Sequence, residues 1–480
     1  MLHLARDRNR ESGNDASTDR PESGPGTRDC RTWYPEELFG IDRTHGREGE
    51  HRMRVLWFVN IPLPAVTQRN GDPPIHHGSW LAQLEVALRD TPDLTLGIAA
   101  TTHSRFAPFE SQGVIYYGIG QGDSPRGVTR VATRWRHLVC PDEDLSALHR
   151  VIAAFRPDLV HVHGTEQQFG LLAGQSAMPV VVSIQGILSV YELLDARGVD
   201  ASLLLSLSPG LFVRGAGVLL GHAALRRNAE RERRILRHSH YVIGRTRFDA
   251  DVIHVINPRA TYYHCDEPLR PEFRTAIWQH DRSEPHAVLS LSGGYARKGL
   301  GTLLRAIAIL REGSIPQIRL RLAGLASGKS EERRAVVREI RRLHLEASVT
   351  GLERLGPADL VRELLRARVF ALPTHADNSP NSLAEAMVVG TPCVASAVGG
   401  IPSLARDGVE ALLVQDGDPY ALAGAVARLL EDTPLACRLS RYARTAAMDR
   451  HDPSKVRDSL MGIYRAILAG EGFEGAPKGR

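Results

Sequence analysis

A chain of 480 residues, 42% of them apolar, is long enough for two or three domains and can bury a sizeable core in each. Its formal charge of +5 is modest for that length and is carried almost entirely by arginine, so charge gives no argument for nucleic acid as a partner. Five cysteines, Cys30, Cys140, Cys265, Cys393 and Cys437, are scattered and odd in number, with no Cys-x-x-Cys pair or Cys/His zinc spacing; this points to a reduced, cytoplasmic protein with no metal site.

Residues 1–52 are rich in Arg, Asp, Glu, Ser, Gly and Pro and poor in aliphatics, a composition that cannot offset ordering entropy, and the segment is expected to be disordered. It has no apolar signal-peptide core, and no run of about eighteen apolar residues elsewhere is free of charges and breakers. The nearest approach, residues 203–225, is interrupted by Pro209, Arg214 and glycines; it reads first as a partly buried helical hairpin and second as a surface for peripheral membrane contact.

The run 54–60, RVLWFVN, predicts a buried first strand, followed by a Pro- and Gly-containing loop and a helix opening at Gly78-Ser79-Trp80. Strand-like runs recur at 94–99, 113–118, 158–163, 179–185 and 240–245, with helical patterns between several of them, so the first half predicts a Rossmann-like sheet. Two of these runs end in polar residues, His161-Val162-His163-Gly164 and Ser183-Ile184-Gln185-Gly186. Period-two alternation puts His161 and His163 on one face, and His163, nearer the strand end, is the one expected to meet a ligand. Residues 224–237 form a charged helix, and Arg245 just beyond the next strand faces either the cleft or a salt-bridge partner.

The pattern restarts at 287–292 with a strand, a loop reading Gly293-Gly294-Tyr295-Ala296-Arg297-Lys298-Gly299, and a helix to residue 310. Strands at 318–323, 347–350, 368–372 and 411–414 follow, then a helical region over 420–468, with no repeat of solenoid period. Within this half the stretch 372–402, LPTHADNSPNSLAEAMVVGTPCVASAVGGIP, predicts strand, loop, helix, strand and a second Gly-rich loop, so two loops open on one edge of a parallel sheet. Asp377 lies on the first loop and Glu385 on the helix, separated by the turn-prone Asn378-Ser379-Pro380-Asn381. The helix is expected to start with Asn381 or Ser382 as N-cap, and its N-terminus favours an anion such as phosphate. Ionised carboxylates accept hydrogen bonds from sugar or ribose hydroxyls; taken singly, Asp377 would only cap a turn and Glu385 would be an ordinary helix residue.

The combination Asp377, Glu385-Ala386-Met387, Gly390-Thr391-Pro392 and Gly399-Gly400-Ile401-Pro402 resembles the nucleotide-sugar site of retaining glycosyltransferases of the GT-B fold, family 4 (glycosyl transferases group 1). HYVIGRTRFDADVI (240–253) followed by TYYHCDEPLRPEF (261–273) is similar to the end of the N-terminal domain in a bacterial branch of that family, where the chain passes into the second domain, and Arg450-His451-Asp452-Pro453 is similar to its terminal helices; the resemblance covers roughly residues 54–468. That family has Glu where Asp377 stands, and an Arg five residues before the phosphate-binding Lys, where this chain has Gly293. The resemblance implies two Rossmann-like domains facing a cleft, 53–270 on the acceptor side and 271–468 on the donor side, the last helix crossing back, with 469–480 as a tail.

It further implies transfer of a hexosyl unit from a nucleoside-diphosphate sugar, with retention, to a saccharide or lipid-linked saccharide acceptor in polysaccharide or glycoconjugate biosynthesis, in the cytoplasm at the inner face of the membrane. Lys298, Asp377, Glu385 and His163 are the implied catalytic group; Gly78, Ser79, Arg297, Gly299, Asn378, Ser379, Asn381 and Ser382 are the implied donor contacts, without metal or other cofactor. The rival expectations are a GT-B-fold sugar-nucleotide epimerase and a non-catalytic nucleotide-sugar-binding subunit.

Overall fold

The computed structural model describes residues 52–72, 79–102, 106–120, 144–194, 218–291, 296–325 and 331–470; residues 1–51, expected to be disordered, and most of the apolar stretch 203–225 lie outside them. β1 (Met53–Val59) is β-branched and aromatic, and Val55, Leu56, Trp57, Phe58 and Val59 are all fully buried, as in a strand covered on both faces. With β2 (Leu94–Thr102), β3 (Phe109–Ser111), β4 (Val114–Gly120), β5 (Leu159–His163), β6 (Val180–Ser183), β7 (Tyr241–Gly244) and β8 (Thr261–His264) it forms a sheet of order β3-β4-β2-β1-β5-β6-β7-β8. All neighbours run parallel except β3, which is antiparallel to β4.

Alternation along β1 divides its side chains between two cores. Val55, Trp57 and Val59 pack with Leu460, Met461 and Tyr464 of the helix Pro453–Ala469, while Leu56 and Phe58 pack with Val160, Val162 and Phe169 on the other face. The C-terminal helix therefore closes over the sheet with which the chain begins. A buried polar chain fastens it: Trp57 Nε1 donates to the Tyr464 hydroxyl (2.9 Å), that hydroxyl meets His161 Nδ1 (2.6 Å), and His161 Nε2 meets Ser183 Oγ (2.6 Å). Each such bond contributes about 1 kcal/mol net, and breaking one side of a buried pair costs more.

The second sheet comprises β9 (Ala287–Ser290), β10 (Arg319–Ala323), β11 (Val349–Leu352), β12 (Val369–Leu372), β13 (Cys393–Ser396) and β14 (Leu412–Val414), all parallel, in the order β11-β10-β9-β12-β13-β14. Helices Leu300–Glu312 and Pro419–Glu431 cover one face over Val288, Leu320 and Val369; helices Pro357–Arg366 and Asn381–Val389 cover the other over Leu289, Phe370 and Cys393.

The expected fold class of two Rossmann-like sheets is what the chain adopts. Two strands were not expected. Residues 261–264 read in sequence as part of a passage between domains, but TYYH pairs with β7 as the sheet edge, and the three-residue β3 is too short to show a period. In each sheet the strand order reverses beside its first strand, between β1 and β5 and between β9 and β12. Those reversals are where open α/β sheets bind ligands.

Candidate functional site

At the reversal in the second sheet, the loops after β9 and β12 are laced together. The His375 N–H and the Thr374 hydroxyl both donate to the Arg297 carbonyl (2.8 and 3.2 Å), and Arg297 Nη1 donates to the Ala376 carbonyl (2.9 Å). Gly299 makes this approach possible: its φ is +71°, and a Cβ there would overlap the Pro373 carbonyl. Lys298 and Asp377, one from each loop, form an ion pair with Nζ 2.5 Å from Oδ2, both side chains mostly withdrawn from solvent. Gly299→Ala is expected to destabilise the protein by roughly 1–3 kcal/mol from the backbone conformation alone, and by more from the overlap; a urea melt checks this.

The Gly-rich loop after β13 closes on the same place. A Cβ on Gly399 would overlap the Asp377 carbonyl and one on Gly400 the Asn378 carbonyl, and the Gly400 N–H donates to the Asp377 carbonyl at 3.2 Å.

The structure places Asn378 differently from the sequence expectation. Its side chain is fully buried, its Oδ1 accepts from Thr246 Oγ1 (2.7 Å), and its Nδ2 donates to Asp249 Oδ2 (3.0 Å). Those partners belong to the helix that follows β7, so the Asn378 side chain joins the two halves of the chain. The helix Asn381–Val389 is also not capped by Asn381 or Ser382: Pro380 is the N-cap residue, with no side-chain cap. Proline presets the entry φ, and Asn381 instead donates to Glu267. Ser379 and Ser382 lie half-buried around the same turn.

Glu385 is buried on that helix and bonded by Arg270 through Nη2 (2.6 Å) and Nε (3.1 Å). Burial pushes its carboxyl above the usual range and Arg270 opposes this. Both bonds fall on Oε1, and Oε2 has no hydrogen-bond partner among the described residues.

At the reversal in the first sheet, β5 ends in His163, opposite Val59 of β1. His163 is 3% exposed, its ring 3.8 Å from that of His161 and 4.5 Å from Trp57, and neither ring nitrogen has a partner among the described residues. Burial, and then His161, hold its pKa well below the ordinary value, so it is neutral and can offer one donor and one acceptor. It lines a cavity with Trp80, Gln185, Arg245, Asp266 and Glu267. His161 is committed to Tyr464 and Ser183, and burial takes its pKa down to about 3. Gly78 and Gly293 lie outside the described residues; Ser79 is the first residue of the helix Ser79–Leu88.

Of the two roles open to Arg245 in the sequence, the structure gives it the salt bridge: it pairs with Glu267 (2.5 Å) and donates to the Gln185 carbonyl (2.7 Å). Asp266, Glu267, Arg270 and Glu166 were not singled out in the sequence. Arg450 donates to Asp266 (2.7 Å), and His451 bonds the Glu267 carbonyl (2.7 Å), which is what Arg450-His451-Asp452-Pro453 does here. Glu166, on the loop after β5, is pushed up to about 7 by burial. The signal available in the sequence was the charged run Asp266, Glu267 and Arg270 directly after the last strand of the first sheet.

Residues 273–446 match the family model described as glycosyl transferases group 1. A D-inositol 3-phosphate glycosyltransferase from Xylanimonas cellulosilytica is 33% identical over 227 residues, 45% of this chain and 52% of that protein. The protein of the same name from Acidothermus cellulolyticus is 40% identical over 114 residues, 24% of this chain and 25% of that one. The chain thus matches about half or less of the length of these curated relatives. Among solved structures, sucrose-phosphate synthase from Thermosynechococcus elongatus superposes with a TM-score of 0.63 at 18% identity, covering 88% of this chain and 100% of that one. HepE from Anabaena in complex with UDP-glucose gives 0.59 at 17% identity, covering 86% and 100%. At such identities the likeness is one of fold, and it is the GT-B fold. The chain thus has the GT-B fold, and its residues 273–446 carry the match to glycosyl transferases group 1.

Proposed function

We propose that the protein transfers a sugar from a nucleoside-diphosphate donor to an acceptor hydroxyl with retention of anomeric configuration. The observation that carries this reading is the Lys298–Asp377 pair at the reversal of the second sheet, beside the N-terminus of the helix Asn381–Val389. A fixed cation and a helix N-terminus on one edge suit a leaving diphosphate; a carboxylate beside them suits sugar hydroxyls. Glu385, through Oε2, takes the ribose, and neutral His163 faces the sugar from the first sheet.

In the step itself the acceptor oxygen bonds to the anomeric carbon on the face the diphosphate leaves, the bond from that carbon to the phosphate oxygen breaks, and the acceptor proton passes to the departing phosphate. No protein nucleophile is required. The relatives named as D-inositol 3-phosphate glycosyltransferases and the neighbours bound to UDP or UDP-glucose support a nucleotide-sugar donor. A saccharide or lipid-linked saccharide acceptor, in polysaccharide or glycoconjugate assembly at the cytoplasmic face of a membrane, completes the reading; no helix among the described residues is long and apolar enough to cross a membrane.

Incubation with a panel of nucleotide sugars and saccharide acceptors, read by mass spectrometry, tests it. Transfer to an acceptor is expected; an isomerised donor, or binding of donor without turnover, overturns it. Among the described residues no three His, Cys, Asp or Glu side chains are grouped as metal ligands, and activity is expected to survive excess chelator. Loss of activity restored by Mg²⁺ or Mn²⁺ contradicts the metal-free mechanism.

A further inference from the structure

We propose that Tyr191, carried by the first sheet's half of the chain, is a positioning residue for the donor diphosphate because it holds Arg297 in place across the cleft; this rests on the transferase reading above. The ring lies on the helix Leu188–Leu194, and the Arg297 guanidinium sits 4.2 Å from its centroid. That helix is firmly anchored: its Leu188 and Ser189 N–H groups donate to the Glu232 carboxylate (3.1 and 2.8 Å), which also accepts from the Thr165 hydroxyl (2.6 Å). Gly186 allows the ring to lie flat against the chain, since a Cβ there would stand 2.6 Å from it.

On its other side Arg297 is tied to the Ala376 carbonyl (2.9 Å), so one guanidinium is fixed by a ring from one half of the chain and a carbonyl from the other. Arg297 adjoins Lys298, and the loop's other basic position is not supplied by Gly293, which carries no charge. The four N–H donors left on a held plane suit phosphate oxygens, and the cation–π contact spares the donor from ordering a long side chain on binding. Tyr191 thus makes full diphosphate affinity depend on the two halves facing each other.

Calorimetric titration with uridine, guanosine and adenosine diphosphates tests this on the full chain. The wild type is expected to bind at least one of them. Tyr191→Phe, which keeps the ring, should stay within about twofold, and Tyr191→Leu should bind about fivefold more weakly. In an Arg297→Ala background, Tyr191→Leu should add nothing, which packing alone would not produce. Wild-type affinity in Tyr191→Leu, or an equal loss with and without Arg297, overturns the inference while leaving the transferase reading intact, with Lys298→Ala still weakened. If the wild type binds none of the three, that reading falls and this inference with it. Should Tyr191→Leu fail to fold, Tyr191→Met carries the same comparison.

Discussion

Lys298→Ala should turn over a nucleotide sugar about 10² times or more slowly at saturating donor, the scale lost when a preorganised electrostatic stabiliser is removed. Lys298 precedes the loop junction at Gly299 and Pro373, a geometry fixed by backbone contact and independent of the lysine side chain. The loop should therefore keep its shape in the variant. Removing the cation also leaves Asp377, whose side chain is only 11% exposed, facing an incoming diphosphate of the same sign. Donor affinity and rate should fall together, with Arg297 retaining part of both. The thermal midpoint should fall, since a mostly buried carboxylate loses its counter-charge, while the loop's backbone contacts keep the variant folded. An unchanged rate at saturating donor would refute the role assigned to it.

Much of this was legible in the chain itself, for a physical reason. The strands of both sheets are short apolar runs bounded by Gly, Pro and polar residues, because a parallel sheet covered on both faces requires them, and the ligand loops follow at their C-terminal ends. Partner choice was not legible. Arg270 meets Glu385 across 115 residues of chain, and Lys298 meets Asp377 across 79, separations at which spacing carries no information. Asn378 shows the same limit from the other side. A polar residue in the motif's turn reads as a ligand contact, yet Thr246 and Asp249, more than a hundred residues earlier, engage both its oxygen and its nitrogen. The edge strand β8 escaped because its four residues, TYYH, mix polar and aromatic side chains without an apolar run, and only Tyr263 is fully buried. Tyr191 gave no signal at all: an aromatic in a seven-residue helix acquires meaning only when Arg297 lies over it.

Asp377→Asn keeps the size of the side chain but removes its charge, so the ion pair with Lys298 and the charge-assisted bond to a sugar hydroxyl both weaken. Roughly 1.5–3 kcal/mol is expected, about a ten- to hundredfold loss in kcat/KM. Nucleotide affinity should hold within a few-fold if the helix N-terminus and Glu385 bind that part, as proposed. Asp377→Glu restores the residue found in the resembled family, and the loop decides its effect. The Asp377 carbonyl packs against Gly399 with no room for a Cβ between them and accepts from the Gly400 N–H at 3.2 Å, so the backbone cannot retreat to absorb an added methylene. The longer carboxylate must then push past Lys298, already 2.5 Å from the shorter one, into the space of the donor sugar. Glu is accordingly expected to be impaired as well, by a raised donor KM more than by a lowered kcat. A gain in activity with Glu would mean the site has lost function through the shortening instead of adapting to it. Wild-type kinetics in Asp377→Asn would reduce Asp377 to a turn cap held by Lys298.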